Sequence, residues 1–550
     1  MKNSLNLFDS DSLKDFHKRI FFSMIIFLFV YIIAIYRITD VMLFSSNIEF
    51  KEVLQKNSVR GKILDINGNL LATTVKSNSL STNPNKIKNK AKLANQLSLI
   101  LNIEKEKIIK KLNKNTHFVW IKRNITPKEH QKIIDLGEIN FKLHDEQKRI
   151  YPFSNDTSHV VGFVDIDGVG VSGIERSYDE ELKNSQNVNL TLDINLQQAV
   201  RDELIKTINT YKAESGLAVV LNIKKGHILS SVSYPDFDPN NRETFKEKNL
   251  INRVIQSNYE MGSTFKPITI AMGYDKDLIA PEMSFDVKKN INGISDYLEY
   301  EGDGIYDVEK IIVKSSNIGT AKIATKIGKK NQIDFFRKIG FFEKLDFEIL
   351  ETAEPLGNKN HWGKVETMTI GYGHGFAITP LHLIKAYASI ANSGIEIKPT
   401  IIKNNKHEFN KKILLKEETS KYFLELLRSV VNKTKFTGPR VKVNGYDLGG
   451  KTGTSMLVNK KGGYHKDRDL TSFISIFPID DPEYVVLTIV EYPKIIEELK
   501  NKTTGAWINA PLVKEIILRM IDILKIPKKT YDEILNADIK HIYKIQNASN

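Results

Sequence analysis

Gly262-Ser263-Thr264-Phe265-Lys266-Pro267 is the stretch on which the reading of this chain turns. A helix starting at Ser263 puts Ser263 and Lys266 at i and i+3, on one face. A serine hydroxyl is a poor nucleophile until a neighbouring base takes its proton, and a desolvated lysine can be that base. Ser263 would also stand at a helix N-terminus, where unpaired N–H groups and the dipole favour negative charge. The residues that follow, Ile268, Ile270, Ala271 and Met272, are apolar enough to bury such a helix. Ser263 is the only serine in the chain with a lysine three places on.

Two further stretches speak to Ser263. In Ser315-Ser316-Asn317 a hydroxyl can relay a proton, and an asparagine can hold both a lysine ammonium and a substrate amide. In Lys451-Thr452-Gly453-Thr454, preceded by Gly449-Gly450, glycine lets backbone approach a ligand and a lysine beside hydroxyls suits a carboxylate. Taken singly, each triplet is commonplace; Ser-x-Asn is usually a cap or a turn. Gly445-Tyr446-Asp447-Leu448-Gly449-Gly450-Lys451-Thr452 also fits the phosphate-cradling form G-x-x-x-x-G-K-T. A P-loop needs a buried strand before it and a helix starting at the lysine. Here Gly453 follows instead, the apolar run Met456, Leu457, Val458 stops at 459–463, and the acidic strand candidate 473–480 is interrupted by Pro478. The nucleotide reading is disfavoured.

With 550 residues the chain is too long for one core, and the length suggests roughly three or four domains. A formal net charge of +14 raises the question of nucleic acid, but the lysines are scattered and no basic motif interleaved with aromatics occurs. A basic solvated surface facing anionic polymer or lipid is the better reading. The absence of cysteine excludes disulfides, thiolate metal sites and cysteine catalysis. There is no His-Glu-x-x-His or similar cluster, so no metal is expected.

In chain order, Ile20 to Tyr36 is an almost unbroken apolar run of 17 residues, at the short end of what spans a bilayer. Lys14, Lys18 and Arg19 precede it and only Arg37 follows closely, which puts the N-terminus in the cytoplasm. The run is too long for a typical signal peptide and no Ala-x-Ala site follows, so an uncleaved anchor is expected. The divisions expected are a cytoplasmic tail at 1–19, a span at 20–43, a β-rich pedestal at 44–185, a catalytic unit at 186–525 and a polar tail at 526–550. In the pedestal, Arg60 to Ala72 reads as strand, Asn-Gly turn, strand, and Lys86 to Lys111 as helix. The catalytic unit should hold a helix from about Asn195 to Tyr211 and a hairpin of Leu217–Asn222 with Ile228–Ser233. Helices are expected at Ile311–Ile327 and Ile378–Asn392, strands near Phe473–Phe477 and Tyr484–Glu491, and a closing helix at Pro511–Leu524. Strands, then helices, then strands again describe a sheet whose order in space differs from its order in sequence.

In this order Ser-x-x-Lys, Ser-x-Asn and Lys-Thr-Gly resemble the penicillin-binding and serine β-lactamase superfamily. Arg60-Gly61 to Ala72, Arg149 to Pro152, His159-Val160-Val161-Gly162, Gly173-Ile174-Glu175, Thr191-Leu192-Asp193, Asn252-Arg253, Gly371 to Gly375 and Ala386-Tyr387-Ala388 look like class B penicillin-binding proteins, over roughly residues 55 to 520. Two departures stand out: Met261 where the family usually has proline, and Ile66 where it usually has arginine. The resemblance implies a mixed α+β protein. A membrane anchor and a pedestal would carry a transpeptidase domain built as a sheet flanked by helices. It further implies a periplasmic D,D-transpeptidase acting on D-Ala-D-Ala stem peptides of peptidoglycan, inhibited by β-lactams and needing no cofactor. By the same resemblance Ser263 is the nucleophile, Lys266 the base, Ser315 the proton relay and Asn317 a holder of substrate and lysine. Lys451, also counted among the catalytic residues, and Thr454 receive the substrate carboxylate; Thr452, Gly453 and Thr454 bind substrate, and the N–H groups of Ser263 and Thr454 form the oxyanion hole. Ser-Ser-Asn followed by Gly319-Thr320-Ala321-Lys322 looks like the septal division enzyme, with a membrane glycosyltransferase and other division proteins as partners and no nucleic acid. The elongation enzyme and a non-catalytic β-lactam sensor are the alternatives.

Overall fold

The computed structural model describes residues 10–40, 59–357, 362–403, 412–458, 464–494 and 503–528. The start of the expected cytoplasmic tail, the end of the expected span, the first pedestal residues and the polar tail beyond 528 lie outside these. Contacts divide the chain into two units, Met1–Arg60 with Lys183–Ser185, and Gly61–Leu182 with Gln186–Asn550.

The first unit is dominated by one helix, Ser10–Asp40. Its 24 residues His17–Asp40 include an 18-residue stretch whose mean hydropathy is 2.3. At about 1.5 Å per residue they cover the ~30 Å of a bilayer's hydrocarbon. The side chains from Ile20 to Ile38 are exposed, so none of this apolar surface is used in folding the unit.

The second unit is mixed α+β. Its pedestal part is organised on one long strand, Leu70–Thr82, which pairs antiparallel with Phe141–Ile150, Val119–Ile125 and the short Ile63–Leu64. Leu80, Ile121 and Ile125 pack under helices Lys90–Leu101 and Lys105–Leu112, with Leu97, Leu101 and Ile108 as their buried counterparts. The single helix expected at Lys86–Lys111 is thus two. Asn89 caps the start of the first, and Asn102 ends it in the left-handed conformation (φ 51), which asparagine tolerates better than most residues.

The Asn-Gly turn forms as expected and keys the pedestal to the catalytic part. Asp65 accepts from the N–H groups of Asn67 and Asn69 at 2.9 and 2.7 Å, and from the N–H of Ile194 at 3.2 Å. Asn67 Nδ2 donates to Asp193 at 2.9 Å, at the start of helix Ile194–Thr210. Ile66 is half-buried against the cluster that this helix covers, and its carbonyl accepts from Lys403 Nζ at 2.7 Å. Below the turn, Arg149 and Glu175 form a buried ion pair at 2.7 Å, and the same guanidinium donates to the Gly61 carbonyl.

The catalytic part is built on a five-stranded antiparallel sheet in the spatial order Gly449–Val458, Tyr464–Phe477, Tyr484–Glu491, Ser215–Asn222, Ile228–Tyr234. Spatial order therefore departs from chain order in the way the strand–helix–strand pattern requires. Ser215–Asn222 and Tyr484–Glu491 are buried at every position because both faces are covered. Ala218, Val220, Val486 and Val490 face helices Ile194–Thr210 and Asn509–Leu524, while Leu217, Val219, Leu487 and Ile489 belong to the cluster of the helical block. Alternation of side chains along a strand produces this division.

Candidate active site

Ser263 sits on a 3-10 turn, Gly262–Phe265, which runs directly into the α-helix Lys266–Asp275. The helix expected to start at Ser263 starts three residues later. At three residues per turn, positions i and i+3 eclipse, so Ser263 and Lys266 still share a face. Pro267 falls in the first helical turn, where its missing N–H costs no hydrogen bond. Met261, with φ −76, precedes the turn in a conformation that a proline could also adopt, and its buried side chain joins the core.

Ser315 and Asn317 arrive by a helix break. The continuous helix expected over Ile311–Ile327 is instead Val308–Lys314 and Asn317–Ile339, the latter interrupted at Gly328. Between them Ser315 is left-handed (φ 56, ψ 41) and Ser316 caps the second helix through the Gly319 N–H. The break turns Ser315 and Asn317 onto Lys266. The lysine ammonium donates to the Ser315 carbonyl, to Ser315 Oγ at 3.2 Å and to Asn317 Oδ1 at 2.8 Å. Among the described residues the Ser263 hydroxyl has no hydrogen-bond partner, and the residue is half-buried.

Lys451 comes from the edge strand Gly449–Val458 and donates to Ser315 Oγ at 3.0 Å and to the Thr452 carbonyl at 3.1 Å. One hydroxyl therefore bridges both lysines and accepts from each. Both of its lone pairs are in use, which leaves its own proton as the one hydrogen bond it can give. Lys266 and Lys451 are 0% and 1% exposed. Burial, then the facing Lys451, hold the Lys266 pKa well below its ordinary value, and Asp296 opposes them. Burial alone pushes Lys451 down to about 7. Thr452 is half-buried and Thr454 exposed, so the hydroxyls rather than the Lys451 ammonium reach the open side. The edge strand and the serine turn meet backbone to backbone: a Cβ on Gly453 would stand 3.0 Å from the Met261 carbonyl, and one on Gly262 3.0 Å from the Thr454 carbonyl. Lys451 lies inside that strand, near its start, and strand rather than helix follows it, which rules out a phosphate-binding P-loop.

Residues 216–518 match the penicillin-binding protein transpeptidase domain, and residues 55–221 match the penicillin-binding protein dimerisation domain. The chain belongs to the penicillin-binding protein family. The two domains together make it a class B, FtsI-like member. It is 29% identical to the probable peptidoglycan D,D-transpeptidase FtsI of Caulobacter vibrioides over 86% of this chain and 82% of that one. It is also 29% identical to the probable peptidoglycan D,D-transpeptidase PenA of Neisseria meningitidis, over 85% of each chain. The stage V sporulation protein D of Bacillus subtilis matches at 29% over 83% of this chain and 77% of that one. In fold it is similar to the crystal structure of a peptidoglycan synthetase from Bifidobacterium adolescentis, with a TM-score of 0.65 and 21% identity over 86% of this chain and 96% of that chain.

Around this candidate site the structure adds contacts that the three triplets do not carry. Glu260, just before the serine turn, accepts from the Gly375 N–H at 2.9 Å and pairs with His374 at 3.3 Å. The Gly262 N–H donates to the Gly373 carbonyl at 3.1 Å, and a Cβ on Gly373 (φ +90) would stand 2.1 Å from the Gly262 carbonyl. Gly371 to Gly375 thus clamps the serine turn, and only glycine fits at 373. Tyr387 donates from inside the core to the Thr264 carbonyl at 2.6 Å. These contacts join segments more than a hundred residues apart, and a single sequence holds no periodic signal for them.

Proposed function

We propose that the chain is a peptidoglycan D,D-transpeptidase of the septal type, working through an acyl-enzyme on Ser263. The observation that carries this reading is the Ser315 hydroxyl bridging two buried lysines, one of them on the same face of the same turn as Ser263. Lys266, with its pKa depressed, is available as the neutral amine that takes the Ser263 proton as Oγ attacks the penultimate D-Ala carbonyl. The N–H groups of Ser263 and Thr454 are the donors this reading assigns to the oxyanion; the close approach of Gly262 to the Thr454 carbonyl supports it, and loss of one such donor typically costs about 10²–10³ in rate. Collapse breaks the peptide bond; the leaving D-Ala amine takes a proton passed from Lys266 through Ser315. An amine from a neighbouring stem then attacks the ester, and the same groups run the proton transfers in reverse. Asn317 holds Lys266 and the donor peptide, while Thr452 and Thr454 receive the carboxylate with Lys451 supplying charge from behind. Gly453 lets the strand lie close to the substrate. β-Lactams enter as mimics of the donor and acylate the same serine.

The apolar helix makes this a membrane-anchored protein. Lys14, Lys18 and Arg19, which precede the apolar run within this helix, favour a cytoplasmic N-terminus at the inner membrane, with the catalytic part on the periplasmic side. A membrane glycosyltransferase and other division proteins are the partners this reading implies. The test is labelled penicillin followed by peptide mapping: the adduct is expected on Ser263 and nowhere else. An adduct on Ser315, or none, overturns the assignment. Transpeptidation of a donor peptide by the purified protein separates an enzyme from a sensor, which would be acylated without turnover. A fluorescent fusion at midcell, rather than along the sidewall, supports the septal role.

A further inference from the structure

Along the edge strand Gly449–Val458, alternation puts Lys451, Gly453 and Ser455 on one face, and that face is seated on the serine turn. Lys451 reaches Ser315 Oγ at 3.0 Å. Gly453 lays its backbone against the turn: a Cβ there would meet the Met261 carbonyl and Thr264 Cγ2, each at 3.0 Å. Ser455 lies outside the three triplets. It is 6% exposed, and its hydroxyl donates to the Glu260 carbonyl at 2.9 Å. Beside that bond, a Cβ on Gly262 would stand 3.4 Å from Ser455 Cβ and 3.0 Å from the Thr454 carbonyl.

Glu260 is itself held from the other side, because its carboxylate accepts from the Gly375 N–H and pairs with His374. Its carbonyl is therefore a fixed point three residues before Ser263, and Ser455 comes directly after Thr454. The sheet ladder to Tyr464–Phe477 fixes the edge strand along one side only. How the strand stands over the turn is left to the contacts of its faces, and van der Waals contact at glycine has little direction. A hydrogen bond does have direction.

We propose that Ser455 is a positioning residue for the reaction: its bond to the Glu260 carbonyl sets the spacing between the edge strand and the serine turn, and with it where the Thr454 N–H stands relative to that of Ser263 when the oxyanion forms. The inference rests on the transpeptidase reading above. Oxyanion donors act at about 2.7–3.1 Å from the place the oxygen will occupy, so a strand displaced by a few tenths of an ångström weakens them.

The test is S455A in the full chain in detergent. Acylation by a labelled penicillin is resolved into a noncovalent binding constant and a first-order rate constant. The rate constant should fall about three- to tenfold, the size of one neutral hydrogen bond, with the binding constant little changed. A phenylboronic acid forms a tetrahedral adduct on a serine and places an oxygen where the oxyanion forms; its affinity should fall by a similar factor. Backbone hydrogen exchange, read by mass spectrometry, should quicken in peptides covering 449–455 and 259–265. Ser472 supplies the control. It pairs with Gly453 and is 1% exposed, and among the described residues its hydroxyl has no hydrogen-bond partner. S472A deletes a buried hydroxyl beside the same strand without cutting the bond to Glu260, and should leave all three readouts at wild-type values.

An S455A protein with wild-type rate constant and boronate affinity overturns the proposal. So does a loss of rate that only follows the folded fraction, or an S472A protein that loses as much as S455A. If S455A does not fold, S455C decides: the thiol is a weaker donor of similar size, and a wild-type rate constant in that variant overturns the positioning role. If the wild type forms no adduct, the transpeptidase reading fails, and hydrogen exchange alone decides whether Ser455 holds the strand to the turn.

Discussion

Two ammonium groups that share one hydroxyl acceptor cannot both stay charged at low cost, and that conflict is what makes Lys266 useful. Burial is the larger force on its pKa and the charge of Lys451 the second, so the strand lysine tunes a base that the core has already weakened as a cation. K451M keeps the volume and removes the charge. The Lys266 pKa should then rise towards its ordinary value, and the acid limb of the acylation profile should move to higher pH. Loss of carboxylate recognition would blur a penicillin assay, so an activated thioester lacking that carboxylate is the right substrate. An acid limb that stays put, or moves down, would show that Lys451 does not act on Lys266. The charge of Asp296 pulls the Lys266 pKa the other way, so Lys451 acts against it.

At the scale of elements, the break between Val308–Lys314 and Asn317–Ile339 makes the site. Ser315 pays for it with a left-handed backbone (φ 56), which costs a non-glycine residue about 1–2 kcal/mol. S315G removes the strain and the hydroxyl together. Stability should stay level or rise by up to about 1 kcal/mol in denaturant unfolding, while acylation should fall at least about 10²-fold if the hydroxyl relays protons. A glycine variant that acylates normally would remove Ser315 from the proton path. The Asn-Gly turn, the hairpin of Ser215–Asn222 with Ile228–Tyr234 and a sheet whose spatial order departs from chain order were legible, because alternation and turn chemistry are local signals. Sequence alone runs one helix through Ser315 because the apolar spacing of Ile311, Ile312, Ile318 and Ile323 is helical on both sides. The residues at the break bond to the Asp296 carboxylate, twenty residues earlier, a contact that helical periodicity does not register. Asn102 interrupts the pedestal helix in the same way, as a left-handed residue that composition does not mark. The clamp of Gly371 to Gly375 on the serine turn was visible only as a motif of resemblance; the 2.1 Å approach at Gly373 supplies its steric reason.

At the scale of the whole molecule, the pedestal and catalytic parts share buried groups whose protonation ties folding to pH. His159 comes from the pedestal side, packs on Phe237 and bonds to the Asn249 carbonyl at 2.8 Å. His382 lies in the helical block, between Thr379 Oγ1 at 2.7 Å and the Glu343 carbonyl at 3.0 Å. Burial pushes both pKa values down from 6.5 to about 4. In the unfolded chain each imidazole takes up a proton as pH falls through about 6.5. In the folded chain neither does so until about pH 4. The unfolded state thus binds more protons in that window, so stability is complete above it and is lost as pH falls through it. Each histidine accounts for roughly 3 kcal/mol of that loss. Paired carboxylates such as Glu129 and Glu396, whose pKa values are lowered, add their own loss only at more acidic pH. Unfolding of the full chain in detergent should therefore show stability falling between pH 7 and pH 5, before carboxylates titrate. H382Q cannot take up a proton there but retains a donor and an acceptor for Glu343 and Thr379. Its stability should be lower than wild type at pH 7, with a shallower decline to pH 5. If wild type and H382Q lose the same stability over that interval, His382 is not one of the groups that couple folding to acid.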